Sequence, residues 1–218
     1  MCMPVARLVA LAALTSACVS NPTPCAAADV CADGLECLAN RCVRAGGQPV
    51  PDNAQRQLLQ LEQIGVWSNN HPSASLPPVV TLGDAIAENQ LILRFAAPST
   101  ELHIQSAFLL LHPDLQAPPA GQPLQFTVRL LSAPWAGKGA PQHAGRIGAV
   151  GTAQPHAPFS LRIDVTEVAR QMQRWPKRNY GVLITAEGNA TPGASYQTGS
   201  MGGTPQFEVY ALAAEATR

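Results

Sequence analysis

Charge is scarce in this 218-residue chain. Only 13% of its residues are Asp, Glu, Lys or Arg, and 14 basic side chains balance 14 acidic ones. A chain with no cationic excess has little with which to follow a phosphate backbone, which argues against nucleic acid as a partner. Aromatics are few as well: five Phe, three Trp and three Tyr, enough for one modest core. No apolar run approaches the ~20 residues that a membrane-spanning helix takes. Leu109–Leu111 is followed at once by His112 and Pro113, so it reads as a buried strand. The chain has no G-x-S-x-G, H-E-x-x-H, P-loop or G-x-G-x-x-G motif, so none of the common catalytic or cofactor-binding signatures is present. Hydrophobic residues are plentiful at 46%, and 20 Pro and 17 Gly punctuate them without a repeat. That composition describes a folded chain rich in turns, neither disordered nor collagen-like. Its length suggests one main domain with appendages.

The first residues read as an export signal. Arg7 precedes an apolar run from Leu8 to Leu14, and small residues Thr15, Ser16 and Ala17 lead to Cys18. This is the order of a secretory signal peptide. The segment L-T-S-A-C resembles the signal of bacterial lipoproteins. That resemblance implies removal of residues 1–17 and lipidation of Cys18 as the first mature residue. Each methylene of an acyl chain adds about 0.8 kcal/mol of membrane affinity, so several chains on one cysteine make the membrane a stable partner. Val19 stands after the cysteine where lipoproteins kept at the inner membrane carry Asp. By the same resemblance, the expected location is the outer membrane or cell surface of a bacterium.

Cys25, Cys31, Cys37 and Cys42 fall within 18 residues, separated by five, five and four positions. An even, close-set group in an exported chain reads as two disulfides. Three pairings are open. Zinc fits less well, because structural zinc ligands are usually paired two to four residues apart. The first histidine, His71, is also remote. Residues 18–44 are thus expected to be a lipid anchor and Cys-rich module, with a turn at Asp33–Gly34. Such a module resembles the short Cys-rich spacers behind the anchor of bacterial surface lipoproteins. Residues 45–78 read as a linker. Within it, Leu58, Leu61 and Ile64 in AQRQLLQLEQI are spaced for a short helix, with an N-terminal strand as the alternative.

Beyond Pro78 the apolar period becomes two. Leu91, Leu93 and Phe95 share a side, as do Leu124, Phe126, Val128 and Leu130. Further sets are Phe159, Leu161 and Ile163; Tyr180, Val182 and Ile184; and Phe207, Val209 and Ala211. Val79–Ile86 and Ile104–Leu111 are more continuously apolar and read as central strands. Loops rich in Pro and Gly separate the runs. One segment differs: Val165, Val168, Met172 and Trp175 form a helical stripe, with Asp164 or Thr166 as cap and Pro176 as stop. Met172 and Trp175 are expected to plug the core. The fold class expected is mostly β: an antiparallel β-sandwich or jelly roll over 79–212, with one short helix near 164–175.

The motifs LILRF (91–95), IQSAFLLL (104–111), the IDVTEV segment (163–168), NYGVLI (179–184) and TPQFEVY (204–210) occur in that order. Together they resemble the DNRLRE-type β-sandwich domain of exported bacterial proteins, which is similar to certain carbohydrate-binding modules. The resemblance implies a non-catalytic surface module. Aromatic rings, cations and amides are the groups a sugar site needs, and the loops offer Trp135, Lys138 and His143 with Tyr196 and Gln197, and Trp67 beside them. The plainer role for Trp135 and Trp67 is to plug the ends of the sandwich. His103, His112, His143 and His156 show no ligand spacing on a shared element, so no metal and no cofactor are expected. The reading is a lipid-anchored envelope protein with polysaccharide or a surface protein as partner. The alternative is an exported hydrolase of extracellular polysaccharide.

Overall fold

The computed structural model describes residues 35–38 and 41–44 as strands, and residues 54–213 apart from 147, 154–159, 189 and 200–202. Residues 1–17, read above as an export signal, and Cys18, Cys25 and Cys31 lie outside the described residues. β1 (Leu35–Leu38) and β2 (Arg41–Arg44) pair antiparallel, with Cys37 opposite Cys42 in the register.

The body is an antiparallel β-sandwich. One sheet runs β10 (Ala149–Ala153), β9 (Leu124–Leu130), β12 (Val182–Glu187), β7 (Asn89–Phe95), β4 (Leu61–Ser68) and β5 (His71–Pro72). The other runs β11 (Leu161–Asp164), β8 (Leu102–Leu111), β14 (Gln206–Ala213) and β3 (Gln55–Leu59). A two-stranded ribbon of β6 (Val79–Leu82) and β13 (Ala194–Gln197) adds Val80, Leu82 and Tyr196 to the core. Alternation decides which side chains enter that core. Leu91, Leu93, Phe95, Phe126, Val128, Val182 and Ile184 come from the larger sheet. Ala107, Leu109, Leu111, Ile163, Phe207 and Val209 come from the smaller one. Phe95 and Phe207 meet edge-on across the gap, with ring centres 5.3 Å apart.

The helix α1 (Thr166–Arg174) carries the chain from the smaller sheet to the larger. Its start is fastened to β8. The Val165 N–H donates to the Ala107 carbonyl at 2.9 Å, and the Ala107 N–H donates to Thr166 Oγ1 at 3.0 Å. Asp164 Oδ1 accepts from the Thr166 N–H and hydroxyl, as an acidic residue at a helix start should. Val165, Val168, Ala169 and Met172 are buried, in line with the apolar stripe.

Three expectations are corrected. Ala54–Ile64 is not a helix but β3 and the start of β4, the alternative reading, so the sandwich includes residues the sequence assigned to a linker. The chain changes sheets at Gln60, and a bulge between Leu61 and Gln63 shifts parity, which places inward residues Leu61 and Ile64 three apart. Val79–Ile86 is not a central strand. It ends at Leu82, because Gly83 turns at φ +70°, and Ile86 is 83% exposed. Trp175 does not plug the core: the helix stops at Arg174, and the indole is 57% exposed.

Candidate functional site

The outer face of the six-stranded sheet carries a second, small apolar cluster. Trp67 on β4, Ile92 on β7, Leu183 on β12 and Leu131 just past β9 are all buried there. The register explains it: Gly65, Ile92, Leu183 and Arg129 lie side by side across four strands, all pointing away from the main core. Trp135 and Tyr180 pack onto this cluster and remain partly open to solvent. Trp67 and Trp135 therefore lie on a sheet face, not at the ends of the sandwich.

Trp135 reaches the face from the loop that follows β9. That loop is closed at its base by a bridge between Leu131 and His143, by Ser132 N–H to the Gln142 carbonyl at 3.0 Å and by Ala144 N–H to the Leu130 carbonyl at 2.9 Å. Its tip is fixed by the tryptophan. The indole lies over Gly65, the Trp135 Nε1–H donates to the Gly139 carbonyl at 3.1 Å, and Gln63 Nε2 donates to the Trp135 carbonyl at 2.9 Å. Lys138 and His143 stand exposed on the same loop, and His143 Nδ1 is 3.0 Å from the Ala144 carbonyl oxygen.

Polar groups border the apolar patch. Arg94 and Glu62 form an ion pair at 3.0 Å on the row next to Gly65. Thr127 and Thr185 share a hydrogen bond at 2.7 Å across β9 and β12, and Gln90 lies opposite Trp67. Arg129 places a buried Nε with no hydrogen-bond partner beside Leu183. An indole held against Gly65, with amide and guanidinium groups on the neighbouring rows, can stack on the C–H face of a sugar and bind its hydroxyls.

Not every expected site residue is here. Trp135, Lys138 and His143 share one loop. Tyr196 belongs to the main core: it is 3% exposed, meets Phe126 edge-on at 5.7 Å, and burial pushes its phenol well above the usual tyrosine range. A side chain with no route to solvent cannot contact a ligand, so Tyr196 is withdrawn from the site. Gln197 sits beside it on β13, where its backbone N–H donates to the His112 carbonyl at 2.9 Å. Gln63, Gln90, Arg129 and Tyr180 were not foreseen. Arg129 already stood on the polar side of its strand's alternation, whereas Tyr180, expected to share a side with Val182 and Ile184, packs on the outer cluster instead, because Gly181 at φ +104° breaks the phase between them.

One further pair bears on chemistry. His112 Nδ1 lies 2.8 Å from the Ser160 hydroxyl oxygen, while Nε2 is buried without a partner. Burial holds the imidazole below its usual pKa, against a weaker pull upward from Glu208. The Glu208 carboxylate is engaged by Arg56, through Nε at 3.0 Å and through Nη2, and by the Tyr210 hydroxyl at 3.3 Å. Among the described residues, no three His, Cys, Asp or Glu side chains converge as metal ligands do.

A scan against protein-family models finds no match, and a search of curated proteins finds none either.

Proposed function

We propose that the protein is an exported, lipid-anchored, non-catalytic module of the bacterial envelope. In this reading its sandwich binds polysaccharide on the outer face of the six-stranded sheet, beside Trp135. The single observation that carries the binding reading is the fixed indole: Trp135 is locked over Gly65 by two hydrogen bonds yet remains partly open to solvent. Pre-organised aromatic platforms bind with little entropy loss, which suits a sugar ring that offers only a C–H face and hydroxyls. Lys138 and His143 on the same loop supply polar reach. The lipoprotein-like L-T-S-A-C segment and the DNRLRE-like order of motifs support the envelope setting.

The test is affinity electrophoresis of the full chain through gels containing neutral and acidic polysaccharides. Retardation that Trp135→Ala and Lys138→Ala both weaken, with thermal unfolding checked in parallel, is the expected result. Mobility unchanged in every gel overturns the binding reading. Mass spectrometry of the mature N-terminus addresses the anchor: an acylated Cys18 is expected, and an unmodified Cys18 ends that part.

The hydrolase alternative has one observation in its favour, the Ser160–His112 hydrogen bond. Against it, no carboxylate is bonded to that imidazole, so the orienting third group of a nucleophilic triad is missing among the described residues. Release of reducing ends by the wild type, lost in Ser160→Ala, would establish this alternative instead.

A further inference from the structure

The helix α1 ends in a tip that its own amphipathic pattern does not explain. Val168, Ala169 and Met172 are buried, but Trp175 leaves the helix with φ −128° and ψ 59° and turns its indole outward. The cause is Pro176, whose ring excludes helical geometry at the residue before it. Pro176–Arg178 then forms a 3-10 turn, in which the Arg178 N–H donates to the Trp175 carbonyl at 2.8 Å. The next residue pins the tip to the sandwich, because Asn179 Nδ2 donates to the Phe95 carbonyl at 2.7 Å. The exposed indole is therefore mounted on a fixed base.

Around it stand Arg174, Lys177 and Arg178, all exposed. Arg178 places its guanidinium carbon 5.8 Å from the centre of the Trp175 ring. None of the three cations has an ion-pair partner among the described residues. By contrast, Arg56, Arg94 and Arg170 are paired with Glu208, Glu62 and Glu167. In a chain with as many acidic as basic residues, three uncompensated cations and an open indole within five positions form a local excess.

We propose that this tip is a second binding surface, separate from the Trp135 face, and that its ligand is an acidic polysaccharide. The indole offers a stacking surface for the C–H face of a sugar. The guanidinium beside it is placed for a planar carboxylate on that same sugar, the geometry in which arginine binds most strongly. A lipid surface fits less well, since membrane-seated helices expose a broad apolar face, and here that face is buried in the core with a single indole left outside. The assignment goes beyond the Trp135 reading and does not require it.

The experiment is affinity electrophoresis of the full chain in gels containing polygalacturonate or neutral dextran, at low salt and at 0.5 M salt. The expected result is retardation in polygalacturonate alone, relieved by salt. Trp175→Ala, and separately Arg174→Gln with Arg178→Gln, should each lower the apparent affinity about tenfold, equivalent to about 1.4 kcal/mol. Retardation in polygalacturonate that Trp135→Ala weakens and Trp175→Ala does not would overturn this proposal and leave the first reading standing, which separates the two. Trp175 is exposed, so its replacement should leave the melting temperature unchanged. The proposal is overturned by unimpeded migration at low salt. It is overturned equally if the charge variants lose retardation and Trp175→Ala does not, which would mean unspecific charge. Flotation with anionic phospholipid vesicles without polygalacturonate retardation would also overturn it.

Discussion

The indole of Trp135 lies directly against the α-carbon of Gly65, so close that a methyl built on that glycine would come within 2.7 Å of Cη2 and nearer still to Cζ3. Gly65→Ala should therefore lift the ring and loosen the loop that carries Lys138 and His143. Overpacking of this kind costs about 1–3 kcal/mol. Urea denaturation should show that loss, and polysaccharide retardation should fall with it.

Tyr196 gives the opposite signature. Its ring is enclosed with Phe126, so Tyr196→Ala should cost about 3 kcal/mol as a core truncation. At temperatures where the variant stays folded, polysaccharide retardation should match the wild type. A selective loss of binding would return Tyr196 to the site.

The Arg56–Glu208 pair should respond unequally to its two halves. The Glu208 side chain is 4% exposed and that of Arg56 is 51% exposed. Arg56→Met strands a buried carboxylate, whereas Glu208→Gln leaves a guanidinium that can turn to water. The first should cost about 2 kcal/mol and the second about 1 kcal/mol, after allowance for solvent screening of the arginine. Chemical denaturation of both variants at neutral pH measures the difference.

His112 predicts a pH effect. Burial lowers its folded pKa beneath the ordinary histidine value of 6.5. The neutral imidazole is thus favoured in the folded state, and its contribution is complete above pH 6.5. It is lost as pH falls from there through the folded pKa, because the unfolded chain binds the proton first. Urea midpoints should decline between pH 7.5 and 5.5 in the wild type and decline less in His112→Gln. Asp84 acts in a lower window. Backbone N–H donors from Ile86 and Gly193 hold its carboxylate below the usual range, so its contribution fades only below about pH 3.8.

Where a strand keeps one apolar face, the sequence was readable. Leu124–Leu130 alternates cleanly and lies in the larger sheet as its period requires. The helix was legible too, because Val165, Val168 and Met172 follow a 3.6-residue period up to Arg174. Failures arose where geometry changes between residues. The bulge after Leu61 counterfeits helical spacing, and Pro176 breaks the phase that would have buried Trp175. The Trp135 face was half legible. Its loop shows in the composition, but Ile92 and Leu183 lie inside runs apolar on both sides, and nothing in such a run says that one side makes a separate patch.

The pairing of β3 with β14 sets the order in which the molecule can be finished. Arg56 and Glu208, neighbours on those strands, are 152 positions apart. During synthesis β3 leaves the ribosome early and waits, unmated, for the last strand of its layer. Contacts this remote make the layer slow to close. The smaller sheet therefore stays open along β3 until β14 has been made, however early the strands of the larger sheet pair with one another.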